Sequence, residues 1–291
     1  MTQAHIKHFF HSTTGTYSYV VADPETKRCA IIDSVLDLNY KAGRVCTFFA
    51  GDILAYAEEN GFTVEWILET HAHADHLSAA AHVKAKTGAK VAIGEHIKEV
   101  QKVFQAFYHL GDDFPTDGSQ FDHLLADGET FQIGNLSATV MHTPGHTPAC
   151  MTYLIGDAAF VGDTLFMPDS GTARADFPGG SAHDLYHSIQ KIYTLPDNTK
   201  LYMCHDYKPD LTHPRWVTTV KDEKQKNIYI QEGVTEEMYV SVRKGIDQSL
   251  EAPALILPSL QVNIRAGELP APEEDGCRYL KIPLNKIGVC N

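Results

Sequence analysis

Trp66-Ile67-Leu68-Glu69-Thr70-His71-Ala72-His73-Ala74-Asp75-His76 decides the reading of this chain. Its first part is a short apolar run of strand composition. Its second part places four potential metal donors, His71, His73, Asp75 and His76, within six residues. Neutral imidazole and carboxylate suit borderline divalent metals, and a strand end supports them rigidly while leaving coordination positions open. Burying so many polar groups without a cation would carry a heavy desolvation cost.

Working outward, Thr143-Pro144-Gly145-His146, Gly162-Asp163-Thr164 and Cys204-His205-Asp206 each follow a run that also reads as a strand. Five histidines and two aspartates can therefore converge at one edge of a sheet core, the composition of a one- or two-metal catalytic site. His71 and His73 alternate in a segment read as extended and can address one metal together. Asp75 and His76, past the turn, can address a second point, and Asp163 has two oxygens with which to bridge. His142 competes with His146 for a place, and His146 has the better-formed turn around it. The remaining histidines of the chain's sixteen, His5, His8 and His11 among them, read as ordinary core or surface side chains.

At 291 residues the chain can bury a large core. A formal charge of −13, with no Lys/Arg-rich segment to offset it, argues against nucleic acid and anionic membranes as partners. No apolar run reaches membrane-spanning length and the first residues lack a secretion-signal pattern, so the expected location is the cytoplasm. Six scattered cysteines without a CxxC pair argue against a zinc ribbon and a disulfide framework. Cys204, although beside His205, reads as structural.

The pattern predicts a hairpin over 16–21 and 29–33, strands at 64–69 and 89–93, and helices at 51–60, 77–87 and 95–110. Segment 111–120 has turn composition and is expected as an exposed loop near the site. Short β-runs follow at 121–125, 130–133, 138–142, 151–155 and 158–161, then a helix at 182–194 and a strand at 200–204. Two β-rich halves, each with helices, predict an α/β fold, a four-layer αβ/βα sandwich. Past about residue 225 the texture changes. The expected organisation is a catalytic domain over 1–225 and a C-terminal extension over 226–291 packed on it. Phe104, Phe107 and Tyr108 read as core or lid packing.

The order His71-x-His73-x-Asp75-His76, His146, Asp163, His205 resembles the metallo-β-lactamase superfamily over about residues 10–210. That resemblance implies the sandwich just described, with metal at its edge. Within the superfamily, segment 162–180, with its Arg174-x-Asp176-Phe177 element, resembles the persulfide dioxygenases (sulfur dioxygenases). So do segments 143–150, 204–208 and 257–267, especially in the longer bacterial form.

This resemblance implies one non-haem Fe(II) per chain, with His71, His146 and Asp163 as ligands and catalytic centre. It implies a reaction in which glutathione persulfide and O2 give sulfite and glutathione. His73, Asp75, His76 and His205 would surround that iron or hold a second metal. Arg174 is the candidate for positioning the anionic substrate, alongside a structural ion pair with Asp176. Tyr207 and Lys208 are further candidate substrate contacts, and Asp206 a residue that orients its neighbours. A complete set of dinuclear ligands leaves a second expectation, a two-zinc glutathione-thioester hydrolase similar to glyoxalase II. The glutathione-binding helices of that family are not recognisable here. The sequence leaves the oligomeric state open; a homodimer is only the commonest outcome for such enzymes.

Overall fold

Residues 3–206 and 215–287 are described by the computed structural model. Tyr207 and Lys208 lie outside them. The first half runs β1 (His5–His11), β2 (Thr16–Ala22), β3 (Arg28–Ile32), β4 (Val35–Asn39), β5 (Arg44–Cys46), α1 (Phe48–Glu59) and β6 (Thr63–Leu68). It continues with β7 (Leu77–Ser78), α2 (Ala80–Thr87), β8 (Lys90–Gly94), α3 (Ile97–Tyr108) and β9 (His123–Leu125). The second half holds β10 (Thr130–Ile133), β11 (Leu136–His142), β12 (Met151–Ile155), β13 (Ala158–Phe160), α4 (Ala182–Tyr193), β14 (Lys200–Tyr202) and β15 (Val217–Thr219). Helices α5 (Val220–Lys226), α6 (Glu236–Asp247) and α7 (Ile256–Asn263) follow.

Two six-stranded sheets form, in the orders β1-β2-β3-β6-β8-β9 and β10 to β15, and a small sheet β5-β4-β7 sits beside them. Strand alternation sorts the side chains. Tyr17, Tyr19 and Val21 of β2 and Ala30 and Ile32 of β3 face the second sheet, where they meet Phe131, Val140, Tyr153 and Phe160. Val20, Ala22, Cys29 and Ile31 point the other way, into a core made with α1, α2 and α3. Leu185, Ile189 and Ile192 of α4 cover the far side of the second sheet. The layers are therefore helix, sheet, sheet, helix, as the sequence pattern predicts. Burial on both faces explains why the central strands are continuously apolar rather than alternating.

Several elements differ from expectation. Strand β1 and the β4–β5 hairpin were not anticipated, because their alternation is interrupted by histidines, Asp37 and Asn39. The helix expected from residue 77 starts at Ala80, because Leu77 and Ser78 pair with β4. Segment 111–120, expected near the site, packs on α3 instead: Phe114 is buried and the Gly118 amide donates to Gln101. The residues after 225 share cores with the rest. Tyr239 and Val240 of α6 join the α4 cluster, and Ile256, Leu260 and Val262 of α7 join the α1–α3 cluster. Among the described residues no helix is long and apolar enough to cross a membrane.

Glu223 of α5 is wholly buried, with one oxygen accepting from the Asn227 amide at 2.7 Å. Burial pushes its carboxyl up to about 8 from an ordinary 4.5. The native state therefore favours the protonated form, whereas the unfolded chain ionises near the ordinary value. Stability should fall as pH rises through this interval. Glu223→Gln should remove that slope and raise stability at pH 8.5 by about 1–3 kcal/mol, read from urea unfolding at pH 5.5 and 8.5.

Candidate metal centre

Strand β6 lies in the middle of its sheet, between β3 and β8, and its C-terminal end delivers the donor loop. The loops after β11, β13 and β14 reach it from the second sheet. Two glycines allow the close approach. Gly145 has φ +136, and a Cβ there would sit 2.3 Å from the Leu185 backbone nitrogen. Gly162 has φ +51, and its Cβ would meet Thr70 Oγ1 at 2.7 Å. Gly145 thus lets the turn before His146 pack on α4, and Gly162 sets Asp163 against the β6 loop.

His71, His146 and Asp163 are buried and place their donor atoms within 4.8 Å of one another. His71 Nε2 is 3.8 Å, and His146 Nε2 3.7 Å, from Asp163 Oδ2. His73, Asp75 and His76 form a second such group. His205 Nε2 faces both, 3.3 Å from Asp163 Oδ1 and 3.6 Å from Asp75 Oδ2. The loop carrying His71 and His73 is not a strand, and His73 gathers with Asp75 and His76.

Each of the five imidazoles has one nitrogen hydrogen-bonded, His76 to Asp75 within the donor set and the other four to groups outside it. His71 Nδ1 meets Thr70 Oγ1 at 3.0 Å, and that hydroxyl donates to Asp33 at 2.9 Å, so it must accept from the ring. His73 Nε2 meets Asp33 Oδ1 at 3.0 Å, and His76 Nδ1 meets Asp75 Oδ2 at 3.0 Å. His146 Nδ1 donates to the Arg174 carbonyl at 2.8 Å, and His205 Nδ1 to the Gly15 carbonyl at 3.2 Å. Spending the N–H outward leaves a lone pair on the other nitrogen. His71 Nε2, His73 Nδ1 and His76 Nε2 are buried and make no hydrogen bond. Inward lone pairs without protons to meet fit a divalent cation. Burial, reinforced by neighbouring histidines, holds His71 and His73 well below the ordinary imidazole pKa, in the neutral form that binds metal. Burial opposes protonation of His205, yet Asp163 and Asp75 outweigh it and raise its pKa.

Three residues behind the donors escaped the sequence reading. Asp33 closes the β3 run in the left-handed region, φ 51, and also accepts from the Thr70 amide at 2.7 Å. Glu69 is buried, 3.6 Å from His73 and bonded by Ser78 Oγ at 2.8 Å. Burial pushes the carboxyls of both residues up. Asn263 of α7 reaches across the fold. Its Nδ2 donates to the carbonyls of His73 and His76, each at 2.8 Å, and its Oδ1 accepts from the Ser78 amide at 2.7 Å. Asp33 was legible as a strand end, and Asn263 lies within segment 257–267, which the resemblance covers without giving that residue a role.

His142 stands apart, donating to the Pro148 carbonyl and stacked on His96. Cys204 Sγ donates to Asp33, and Asp206 pairs with Arg215. Phe104 and Tyr108 are core residues. His11, set aside by the sequence reading, lines the cavity and continues through Thr14 and Thr16 to Asp75. Arg174 makes a two-point ion pair with Asp176, 2.6 and 2.7 Å, and donates to the Glu251 carbonyl. It also lines, with His146 and Asp163, a cavity of about 1110 Å³.

Fold and donors together define a metal-dependent enzyme built on an αβ/βα sandwich. Residues 12–205 match the metallo-beta-lactamase superfamily, and the chain belongs to it. It is 52% identical to a probable metallo-hydrolase of Burkholderia pseudomallei over 97% of this chain and 99% of that one. It is 50% identical to glyoxylase B2 of Dictyostelium discoideum over 98% of each. It is 28% identical to the mitochondrial persulfide dioxygenase ETHE1 of Bos taurus over 90% of this chain and 88% of that one. The crystal structure of ETHE1 from Myxococcus xanthus superposes with a TM-score of 0.73 at 28% identity, covering 91% of this chain and 100% of the other.

Two substitutions probe this construction. Asn263→Ala removes both clamps on the donor loop and should weaken metal affinity about 10–100-fold, measured by competition with a chromogenic chelator. Gly145→Ala cannot keep φ +136 against the Leu185 backbone. It should lower both the melting temperature and the metal content after purification.

Proposed function

We propose that this chain is a persulfide dioxygenase with one Fe(II) held by His71, His146 and Asp163. The observation that carries the reading is how the Arg174–Phe177 element sits on the donors. The Arg174 carbonyl fixes the His146 tautomer, and the Phe177 ring stands edge-on to His146 at 5.1 Å. That element resembles the dioxygenases, and the likeness to ETHE1 proteins over most of both chains supports the same reading.

Bound Fe(II) would supply the redox chemistry by which O2 reacts with a sulfur anion. The protein's own part is to present three converging donors, keep the outer nitrogens of His71 and His146 bonded, and hold the substrate in the cavity beside Arg174. The overall reaction balances as one persulfide, one O2 and one water giving one thiol and one sulfurous acid. The S–S bond breaks, both atoms of O2 end on the terminal sulfur, and water supplies the third oxygen and the thiol proton. Glutathione persulfide is the first substrate to test.

A hydrolytic second reading is favoured by one observation, the inward nitrogens of His73 and His76 that make no hydrogen bond. They offer room for a second metal, and the names of the metallo-hydrolase and glyoxylase relatives agree with it.

The two readings separate on protein reconstituted anaerobically with Fe(II) or with Zn(II). The iron form should consume O2 in proportion to sulfite formed from glutathione persulfide, and Asp163→Ala should lose iron and at least about 10³-fold of kcat/KM. Thioester hydrolysis by the zinc form, with no O2 uptake by the iron form, would sink the dioxygenase reading.

A further inference from the structure

Another group of potential metal donors stands on the surface, outside the set around His71. His183 and His187 are four residues apart on α4, which places both imidazoles on one helix face. Glu236 opens α6. Its Oε1 is 2.8 Å from His183 Nδ1 and 3.3 Å from His187 Nε2. Two rings of one helix therefore meet a single carboxylate oxygen of another.

The backbone under these side chains is held by packing. Leu185, Ile189 and Ile192 bury the inner face of α4. Between the two histidines, the Tyr186 ring packs on Tyr239 of α6 at 5.9 Å, and its hydroxyl donates to the Val234 carbonyl at 3.2 Å. Helices braced in this way present donors more precisely than loops do. The donors themselves can adjust. The His183 and His187 side chains are 57% and 64% exposed, so each ring can turn onto a common ion. Two imidazoles and a carboxylate, with the remaining positions left to water, suit a borderline cation such as Zn(II). A chain of net charge −13 also favours gaining positive charge.

We propose that His183, His187 and Glu236 form a peripheral site for one zinc-like divalent cation, which clamps α6 to α4. The clamp bears on the cavity, because α6 also holds the segment around Arg174. Arg243 donates to the Thr172 carbonyl and Asp247 accepts from the Ala175 amide, each at 3.0 Å. The Arg174 carbonyl between them bonds His146. An ion at the start of α6 therefore steadies the helix on which that wall of the cavity hangs. This inference does not depend on the dioxygenase reading, nor on which metal fills the inner centre.

The test uses protein saturated with zinc at its inner centre and dialysed to remove loosely held metal. Titrated with further zinc against a chromogenic indicator, the wild type should take up one more ion per chain than the double variant His183→Ala, His187→Ala. The melting temperature of the wild type should rise with that ion, and that of the double variant should not. Cu(II) added in place of the further zinc should show coupling to two imidazole nitrogens by electron paramagnetic resonance. Glu236→Gln should bind the ion more weakly, through the imidazoles alone, and lose the melting shift. Equal uptake by wild type and double variant overturns the site. A melting shift that survives Glu236→Gln overturns the clamp, because the ion would then sit on α4 alone.

Discussion

The β6 side of this site depends on the buried carboxyl of Asp33. It takes hydrogen bonds from the Thr70 amide, the Thr70 hydroxyl and the His73 ring, and through that hydroxyl it also fixes His71. A carboxylate sunk in a protein interior is costly unless charge and hydrogen bonds compensate it. Here burial keeps His71 and His73 neutral and pushes the carboxyls of Asp33 and Glu69 up. The inward lone pairs beside Asp75 and Asp163 show where a cation would sit. The local charge logic and the tautomer logic agree, which is the form of consistency expected of a metal site rather than of a packed core.

Much of this was readable in the amino-acid order. Strand composition before each short polar motif located the sheet ends, and the donor spacing around His71 located the loop. What could not be read were partnerships made across long distances. The Pro144-Gly145 turn favoured His146 over His142 in the sequence, but the approach of α4 that the turn has to accommodate was not visible there. Asp33 looks like the last residue of a strand until Thr70 and His73 are seen to point at it. The β4–β5 hairpin was hidden because its strands are short and carry polar residues, so no periodicity survives over a useful length.

The residues after 225 contribute more than cover. Leu250 and Ile228 help to shape the cavity, Glu251 accepts from Arg174, and Asn263 holds the backbone on which three donors ride. Each of these contacts replaces water at a place where a mobile backbone would blur the geometry, and each hydrogen bond is worth about 0.5–1.5 kcal/mol net. Their value for function lies in precision: ligand positions must hold within fractions of an ångström for affinity and reactivity to follow.

The Asn263 clamp also bears on the order of events during synthesis. Asn263 follows His73 by 190 residues. The donor loop therefore leaves the ribosome long before its clamp exists, and its three carbonyl and amide partners stay exposed to water meanwhile. The final geometry of that loop therefore waits until α7 is made and docked.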